Sequence, residues 1–269
     1  MAAENRLGAL LSLLMLGMIL SLIVPLASYE LSFVVLGSEI ALRLTPGAQF
    51  AVVLAGLVAS GAEAIARARQ PKPIALPRSV TFCPLPTALA LSGMVLMQRL
   101  PTWEYQVLMA TTTTAVVALI MQLQARVPSS PYSATQIVLQ VSTYASAAVL
   151  FVALYGTRTR SLLSASGVSL VASGLALERL RESTGQLGRI WLYALLLGLM
   201  MGELTWALNY YLLPSRIGGG ALLLAFYLLT GLVHEYLADE LKTHVIVEHL
   251  LVGIAGLAIL AGYARWVAG

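Results

Sequence analysis

The sequence predicts an all-α integral membrane protein, a polytopic bundle of about nine transmembrane helices. Apolar residues make up 59% of the 269-residue chain and charged residues only 10%, whereas a soluble domain carries about 25% charged residues. Apolar runs of about 20 residues, the length that crosses the hydrocarbon core, alternate with short connectors rich in proline, glycine or charge. Residues 1–269 are therefore expected to form a single transmembrane helical domain.

The spans can be placed directly from the apolar windows. They lie near residues 7–27, 48–66, 82–99, 103–124, 134–155, 161–177, 188–212, 219–238 and 244–266. The first window is longer than the 7 to 15 apolar residues usual for a signal peptide, so we expect a first helix that is retained.

The connector between the first two spans, residues 29–45, has the alternating pattern of a β-hairpin. Its alternating apolar positions are Leu31, Phe33 and Val35 before Gly37-Ser38, and Ile40, Leu42 and Leu44 after it. Glycine at the first turn position favours a type II′ turn. Strand backbone groups find no partners in hydrocarbon, so we expect the hairpin outside the membrane, on the extracytoplasmic face, with its apolar side over the bundle. An ordered cap is the favoured interpretation over a substrate lid.

The distribution of basic residues predicts the sidedness of the chain. Ten of the sixteen Lys and Arg residues fall on the side of the N-terminus, which favours a cytoplasmic N-terminus and an extracytoplasmic C-terminus. Residues 67–81 then form a cytoplasmic connector, and Pro71, Pro73 and Pro77 predict that it is stiff and extended and that it bends the start of the third span.

Composition and motifs exclude several classes of function. The net charge of +4 comes from residues in short connectors, which orient helices, so no nucleic-acid partner is expected. Cys83 is the single cysteine and cannot form an internal disulfide. The sequence has no nucleotide loop, catalytic triad or established metal motif, and this favours a non-catalytic role.

Glu203 is the clearest candidate for a functional residue, because it falls inside the seventh span. A charged carboxylate there costs roughly 2.5 to 3.5 kcal/mol, so Glu203 must be protonated, paired or in contact with water. Tyr210 lies on the same side of the helix at i+7, whereas Asn209 faces elsewhere and predicts a separate polar contact. The site is then either an interhelical contact or a proton relay. Gly198 and Gly202 form a GxxxG motif just before it, which predicts close helix packing.

The last two spans carry a pattern of histidine and glutamate. His234-Glu235 mirrors Glu248-His249 about a turn between residues 241 and 242. If these spans are antiparallel neighbours, both histidines lie about 11 Å from the turn. The four residues could bind a divalent metal, and the two histidines could be axial ligands of haem or bacteriochlorophyll. The spacing matches no established ligand motif, so the favoured interpretation is the solvated end of a helical hairpin, and no cofactor is firmly implied.

A resemblance adds a family to this pattern. The segment WALNYYLLPSRIGGGALLLAFYLLTG, residues 206–231, together with the hairpin sequence SFVVLGSEIALRL, resembles an uncharacterised family of multi-pass membrane proteins from green non-sulfur (Chloroflexota-type) bacteria. The resemblance implies a bacterial plasma membrane and transfers no catalytic residue. It also suggests packing against a larger photosynthetic or respiratory assembly.

These observations favour a structural or accessory subunit of a membrane protein complex, or a self-assembling protein. Its expected partners are membrane lipids and either other membrane-protein subunits or further copies of the chain. The alternatives are a small proton-coupled transporter that uses Glu203, and an intramembrane enzyme or a cofactor- or pigment-binding protein that uses His234 and His249.

Overall fold

The computed structural model of the protein describes residues 2–35, 38–69, 76–125, 134–157, 161–181, 183, 186–211, 213–239 and 242–268. The helices within these ranges are α1 Ala2–Ile23, α2 Pro46–Arg69, α3 Leu76–Ser79, α4 Pro84–Met97, α5 Trp103–Gln124, α6 Ala134–Gly156, α7 Ser161–Leu180, α8 Leu187–Asn209, α9 Ser215–Leu237 and α10 Thr243–Ala268. The strands are β1 Tyr29–Val35 and β2 Ser38–Leu44, and Val80–Phe82 forms a 3₁₀ turn.

Eight helical spans are long and apolar enough to cross a membrane, which fits a multi-pass membrane protein; one of them, Pro77–Met97, joins α3, the 3₁₀ turn and α4. Within the described residues, the long helix outside this set is α7. It contains five serines and ends in Glu178 and Arg179, and these polar residues lower its hydropathy. About nine spans were expected, and eight helical segments have the length and composition of a membrane span; α7 accounts for the difference.

The chain divides into two compact units, residues 1–139 and 140–269. The first contains α1 to α5 with the hairpin, and its core includes the buried side chains of Leu14, Met18, Val58, Met94 and Val117. The second contains most of α6 and all of α7 to α10. Its largest fully buried side chains include Phe151, Leu175, Ile190, Leu197 and Phe226. All the candidate functional residues belong to the second unit.

The β-hairpin forms where it was predicted, but with a different turn. β1 and β2 pair antiparallel, and Ser38 lies in β2 opposite Val35 instead of in the turn. Residues 36 and 37, which connect the strands, lie outside the described residues. Leu31 is 49% exposed, so at this position β1 does not pack on the bundle as expected. Glu30 and Ser32, which point to the opposite face of the strand, are exposed as well, so neither face is covered at these positions.

The proline-rich connector is helical in its described part. Residues 70–75 lie outside the described residues, and α3 with the following 3₁₀ turn occupies residues 76–82. The Ser79 hydroxyl donates to the Glu63 carboxylate at 3.2 Å, and the Thr81 hydroxyl donates to the Arg78 carbonyl at 2.8 Å. These bonds hold residues 78–81 in tight turns beside α2, where a fully extended segment was expected.

Candidate functional site

Helices α7 and α8 pack closely because two glycines of α8 face serines of α7. A Cβ atom on Gly198 would lie 2.6 Å from the Ser169 carbonyl oxygen, and one on Gly202 would lie 3.2 Å from the Ser169 Cβ. The Ser173 hydroxyl donates to the Ser169 carbonyl oxygen at 2.8 Å, so this polar side chain is satisfied within its own helix. The GxxxG motif of α8 is therefore the surface that brings the two backbones together.

Glu203 follows Gly202 directly and lies in a groove between the same two helices. The groove has a volume of about 390 Å³ and is lined by Leu162, Ala165, Ser166, Ser169, Leu199, Gly202, Glu203 and Trp206. Glu203 is exposed. No residue that the structure describes donates a hydrogen bond to its carboxylate or forms an ion pair with it. At 1.5 Å per residue it lies about 7.5 Å from the midpoint of α8, which is within the hydrocarbon depth of a centred span. The carboxylate is thus presented at the protein surface, inside the membrane-spanning part of the helix.

The two polar neighbours of Glu203 behave differently. Asn209 donates from Nδ2 to the Ser164 hydroxyl oxygen at 2.9 Å, which ties the end of α8 to α7. Tyr210 is 75% exposed, and its hydroxyl has no hydrogen bond to any residue in the described ranges. The structure therefore brings neither Asn209 nor Tyr210 into contact with the Glu203 carboxylate in this chain.

Glu203 also belongs to a line of exposed side chains along α8, which we call the α8 seam. Its members are Leu192, Leu196, Leu199, Glu203, Trp206 and Tyr210. They are separated alternately by four and three residues, the a/d spacing with which one helix packs along another. In a coiled coil, a single polar residue at such a position fixes the register of the partner helix. Sequence reasoning missed the seam because hydropathy does not show which face of a span is uncovered.

Helices α9 and α10 are antiparallel neighbours, and glycines set their register. Three glycines lie against leucines of the facing helix, in the pairs Gly220 with Leu260, Gly256 with Leu224, and Gly253 with Leu228. In the same register, Gly231 lies against the imidazole of His249, whose Cδ2 would stand 2.8 Å from a Cβ on residue 231. His249 is therefore opposite Gly231, where the sequence pattern placed it opposite His234.

Each of the two histidines has its own surroundings. His249 Nδ1 lies 2.9 Å from the Val245 carbonyl oxygen, and its ring stacks on Tyr227 with 5.9 Å between centroids and 19° between planes. The ring of His234 lies against the backbone of Arg179 in α7. His234 Nδ1 is buried and has no hydrogen-bond partner among the described residues. The structure places the two imidazoles against different helices.

The predicted ligand set is thus distributed over the end of the second unit. Glu235 is half-buried in α9, whereas Glu248 is exposed on α10. Across the described part of the chain, no three His, Cys, Asp or Glu side chains form a group that could hold a metal. Two proposals for these residues stay predictions. One is a metal site formed by His234, Glu235, Glu248 and His249, and the other is the binding of haem or bacteriochlorophyll by the two histidines.

A buried ion pair at the end of α7 was not anticipated from the sequence. Arg181 Nη2 lies 3.2 Å from Glu178 Oε1, and the two side chains are only 10% and 4% exposed. The spacing of an acid and a base three residues apart on a helix was the available signal, but it does not show whether the pair is buried.

A second groove, with two tyrosines in its wall, is formed by α6, α9 and α10. It has a volume of about 410 Å³ and is lined by Tyr144, Gly220, Leu223, Leu224, Tyr227, Val252, Gly256 and Leu260. The Thr230 hydroxyl donates to the Phe226 carbonyl at 2.5 Å, so the Tyr144 hydroxyl is the donor in its 3.2 Å contact with Thr230. This hydrogen bond joins the side chains of α6 and α9, which also approach closely where Gly219 faces the backbone of Val152.

Comparison with known proteins gives a family and no activity. No curated protein and no solved structure matches this chain. A family model described as "Protein of unknown function (DUF5656)" matches residues 26–263, which is most of the chain and includes the hairpin, the α8 seam and both histidines. This match confirms the expectation of an uncharacterised family, and the eight candidate spans fit its multi-pass character. The chain belongs to the DUF5656 family.

Proposed function

We propose that this protein is a non-catalytic structural or accessory subunit of a membrane protein complex or self-assembly. The observation that carries the proposal is the exposed carboxylate of Glu203 at membrane depth, without a partner among the described residues of its own chain. A charged carboxylate facing acyl chains costs roughly 2.5 to 3.5 kcal/mol on insertion scales. A neighbouring protein that covers the groove removes this cost by supplying a hydrogen bond or a charge.

The proposal includes the location of the protein. The excess of basic residues on one side supports a plasma membrane protein with its N-terminus in the cytoplasm and the hairpin on the extracytoplasmic face. An extracytoplasmic C-terminus needs nine crossings, so it requires α7 to cross the membrane in addition to the eight candidate spans. The resemblance in residues 206–231 supports an origin in green non-sulfur bacteria. An assembly in such a membrane could include photosynthetic or respiratory subunits.

A second candidate is a small proton-coupled transporter. It is favoured by the same groove, because a carboxylate beside an opening of about 390 Å³ could exchange protons with a bound substrate. The two candidates differ in what Glu203 contacts. In an assembly it contacts another protein, and in a transporter it contacts water and substrate.

The experiment that tests the proposal is purification from native membranes in a mild detergent. We expect the 28.6 kDa chain to migrate as a larger complex with stoichiometric partners or several copies of itself. Replacing Glu203 by Leu should release the chain from that complex, while replacing the exposed Glu104 of α5 should not. A chain that is monomeric in native membranes and monomeric after mild solubilisation contradicts the proposal.

A further inference from the structure

We infer that the α7–α8 groove binds a transmembrane helix of another protein, and that this helix presents a lysine or arginine to Glu203. The inference rests on the proposed function and names the chemistry of the partner. Three features carry it, namely the length of the exposed surface, the small side chains of the groove and the absence of a matching cation in the chain itself.

The shape of the surface fits a helix. The α8 seam runs from Leu192 to Tyr210, which at 1.5 Å per residue is about 27 Å, close to the thickness of the hydrocarbon core. The 4-3 spacing of the seam allows knobs-into-holes packing along this whole length. Beside the seam, Ala165, Ser169 and Gly202 line the groove with small side chains, and small residues let two helix backbones approach closely.

The charge on the partner follows from Glu203. An acid in hydrocarbon is stabilised most by a cation at the same depth, because the attraction between the two charges offsets their desolvation penalties. A lysine or arginine on the helix in the groove would also lie near the ring of Trp206, whose face attracts cations. A partner helix without a donor would leave the carboxylate as it is in the isolated chain.

A second copy of the chain does not supply this cation. The sixteen Lys and Arg residues of the sequence all lie in connectors or near helix ends, and none lies near the middle of a span. A second copy packed along α8 would therefore offer Glu203 no Lys or Arg at its own depth. The charge balance therefore favours a different protein as the occupant.

The test measures association of the full chain with designed transmembrane peptides in lipid vesicles. The protein carries a donor dye at Ser28→Cys, with the buried Cys83 replaced by Ser. The peptides are leucine-alanine helices with an acceptor dye and a single Lys about five residues from the centre, and the control peptides have Leu at that position. We expect the Lys peptide to bind about tenfold more tightly than the Leu peptide, as one interhelical polar contact implies.

Three protein variants make the result specific to Glu203. The preference for Lys should disappear in Glu203→Gln, persist in Glu203→Asp, and persist in Glu104→Gln, which removes an exposed carboxylate from α5. Circular dichroism of each variant shows whether the helices are intact. Equal binding of the two peptides, or a preference that Glu203→Gln leaves unchanged, overturns the inference.

A further measurement separates the inference from the proposed function. Energy transfer between two dye-labelled copies of the protein, without peptide, reports self-association. Self-association that depends on Glu203 means that a second copy covers the groove, which overturns the inference and supports the proposed function. No peptide preference, together with a stable complex from native membranes, likewise removes only the inference.

Discussion

Gly198 of α8 and Ser169 of α7 stand so close that a Cβ atom on residue 198 would lie 2.6 Å from the Ser169 carbonyl oxygen. Backbone cannot move aside as easily as a side chain, so this contact fixes the distance between the two helices. It also determines the width of the groove beside Glu203, because Gly202 is the next small residue of the same motif. The packing of α7 and α8 and the candidate site therefore depend on the same pair of glycines.

Replacing Gly198 by Ala should destabilise the protein although alanine favours helix formation. The added methyl group must push α7 away from α8, and overpacking of this kind costs about 1 to 3 kcal/mol. The matched control is Gly188→Ala in the same helix, where a Cβ would meet nothing within 4 Å. The control should be neutral or stabilising by up to about 1 kcal/mol. Unfolding of the purified protein in mixed micelles measures both, and equal effects would mean that α7 and α8 are not tightly packed.

Removing one member of the buried ion pair should be strongly destabilising. Arg181→Met leaves Glu178, whose side chain is 4% exposed, without this cation, and such a loss costs about 3 to 5 kcal/mol. The comparison is Arg67→Met, which breaks an ion pair with Glu63 in which the side chains are 43% and 27% exposed. That change should cost no more than about 1 kcal/mol, because water screens the pair.

A double variant shows whether the Arg181 effect comes from the charge left behind. Glu178→Gln combined with Arg181→Met should recover much of the stability, since no buried carboxylate remains to be compensated. Additive losses in the double variant would instead indicate that the two side chains act independently.

The positions of the helices could be predicted from the sequence, since the length and hydropathy of a span are local properties. The position of the hairpin turn could not be predicted. A connection at residues 36–37 and one at Gly37-Ser38 differ by a single position, and both suit the alternating pattern of the strands. The register of α9 and α10 was also out of reach. It depends on glycines such as Gly231 and Gly256 accepting side chains from the facing helix, which is a contact between distant parts of the chain.

The candidate site was only partly predictable for a related reason. Glu203 could be recognised because an acidic residue is rare inside a span. Its exposure depends on which face of α8 is covered by α7, and that follows from the close approach at Gly198. The buried ion pair of Glu178 and Arg181 gave too weak a signal, because acid and base at this spacing are common on solvated helices.

Replacing His234 and His249 together by Ala should leave the metal content of the purified protein unchanged. His249 packs against Gly231 and accepts or donates within its own helix only at Val245, and His234 contacts the backbone of Arg179, so the two imidazoles face different helices and belong to no group of three metal-ligating side chains among the described residues. Elemental analysis of the detergent-purified protein checks this, with His244→Ala as the control for an exposed histidine. A metal present at one atom per chain, lost in the double variant and kept in the control, would establish the predicted metal site.

Glu203→Gln should not change proton movement through vesicles that contain the protein. In an accessory subunit the carboxyl group is a contact with another chain, so no continuous path carries protons past it. Vesicles with an internal pH-sensitive dye and an imposed pH gradient measure the flux for the original chain, for Glu203→Gln and for Glu104→Gln, in which an exposed acid of α5 is replaced. The proton flux measured with each of the three proteins should equal that of protein-free vesicles. A flux that requires Glu203 and not Glu104 would identify the residue as a proton relay, and the transporter would then replace the accessory subunit as the function of this groove.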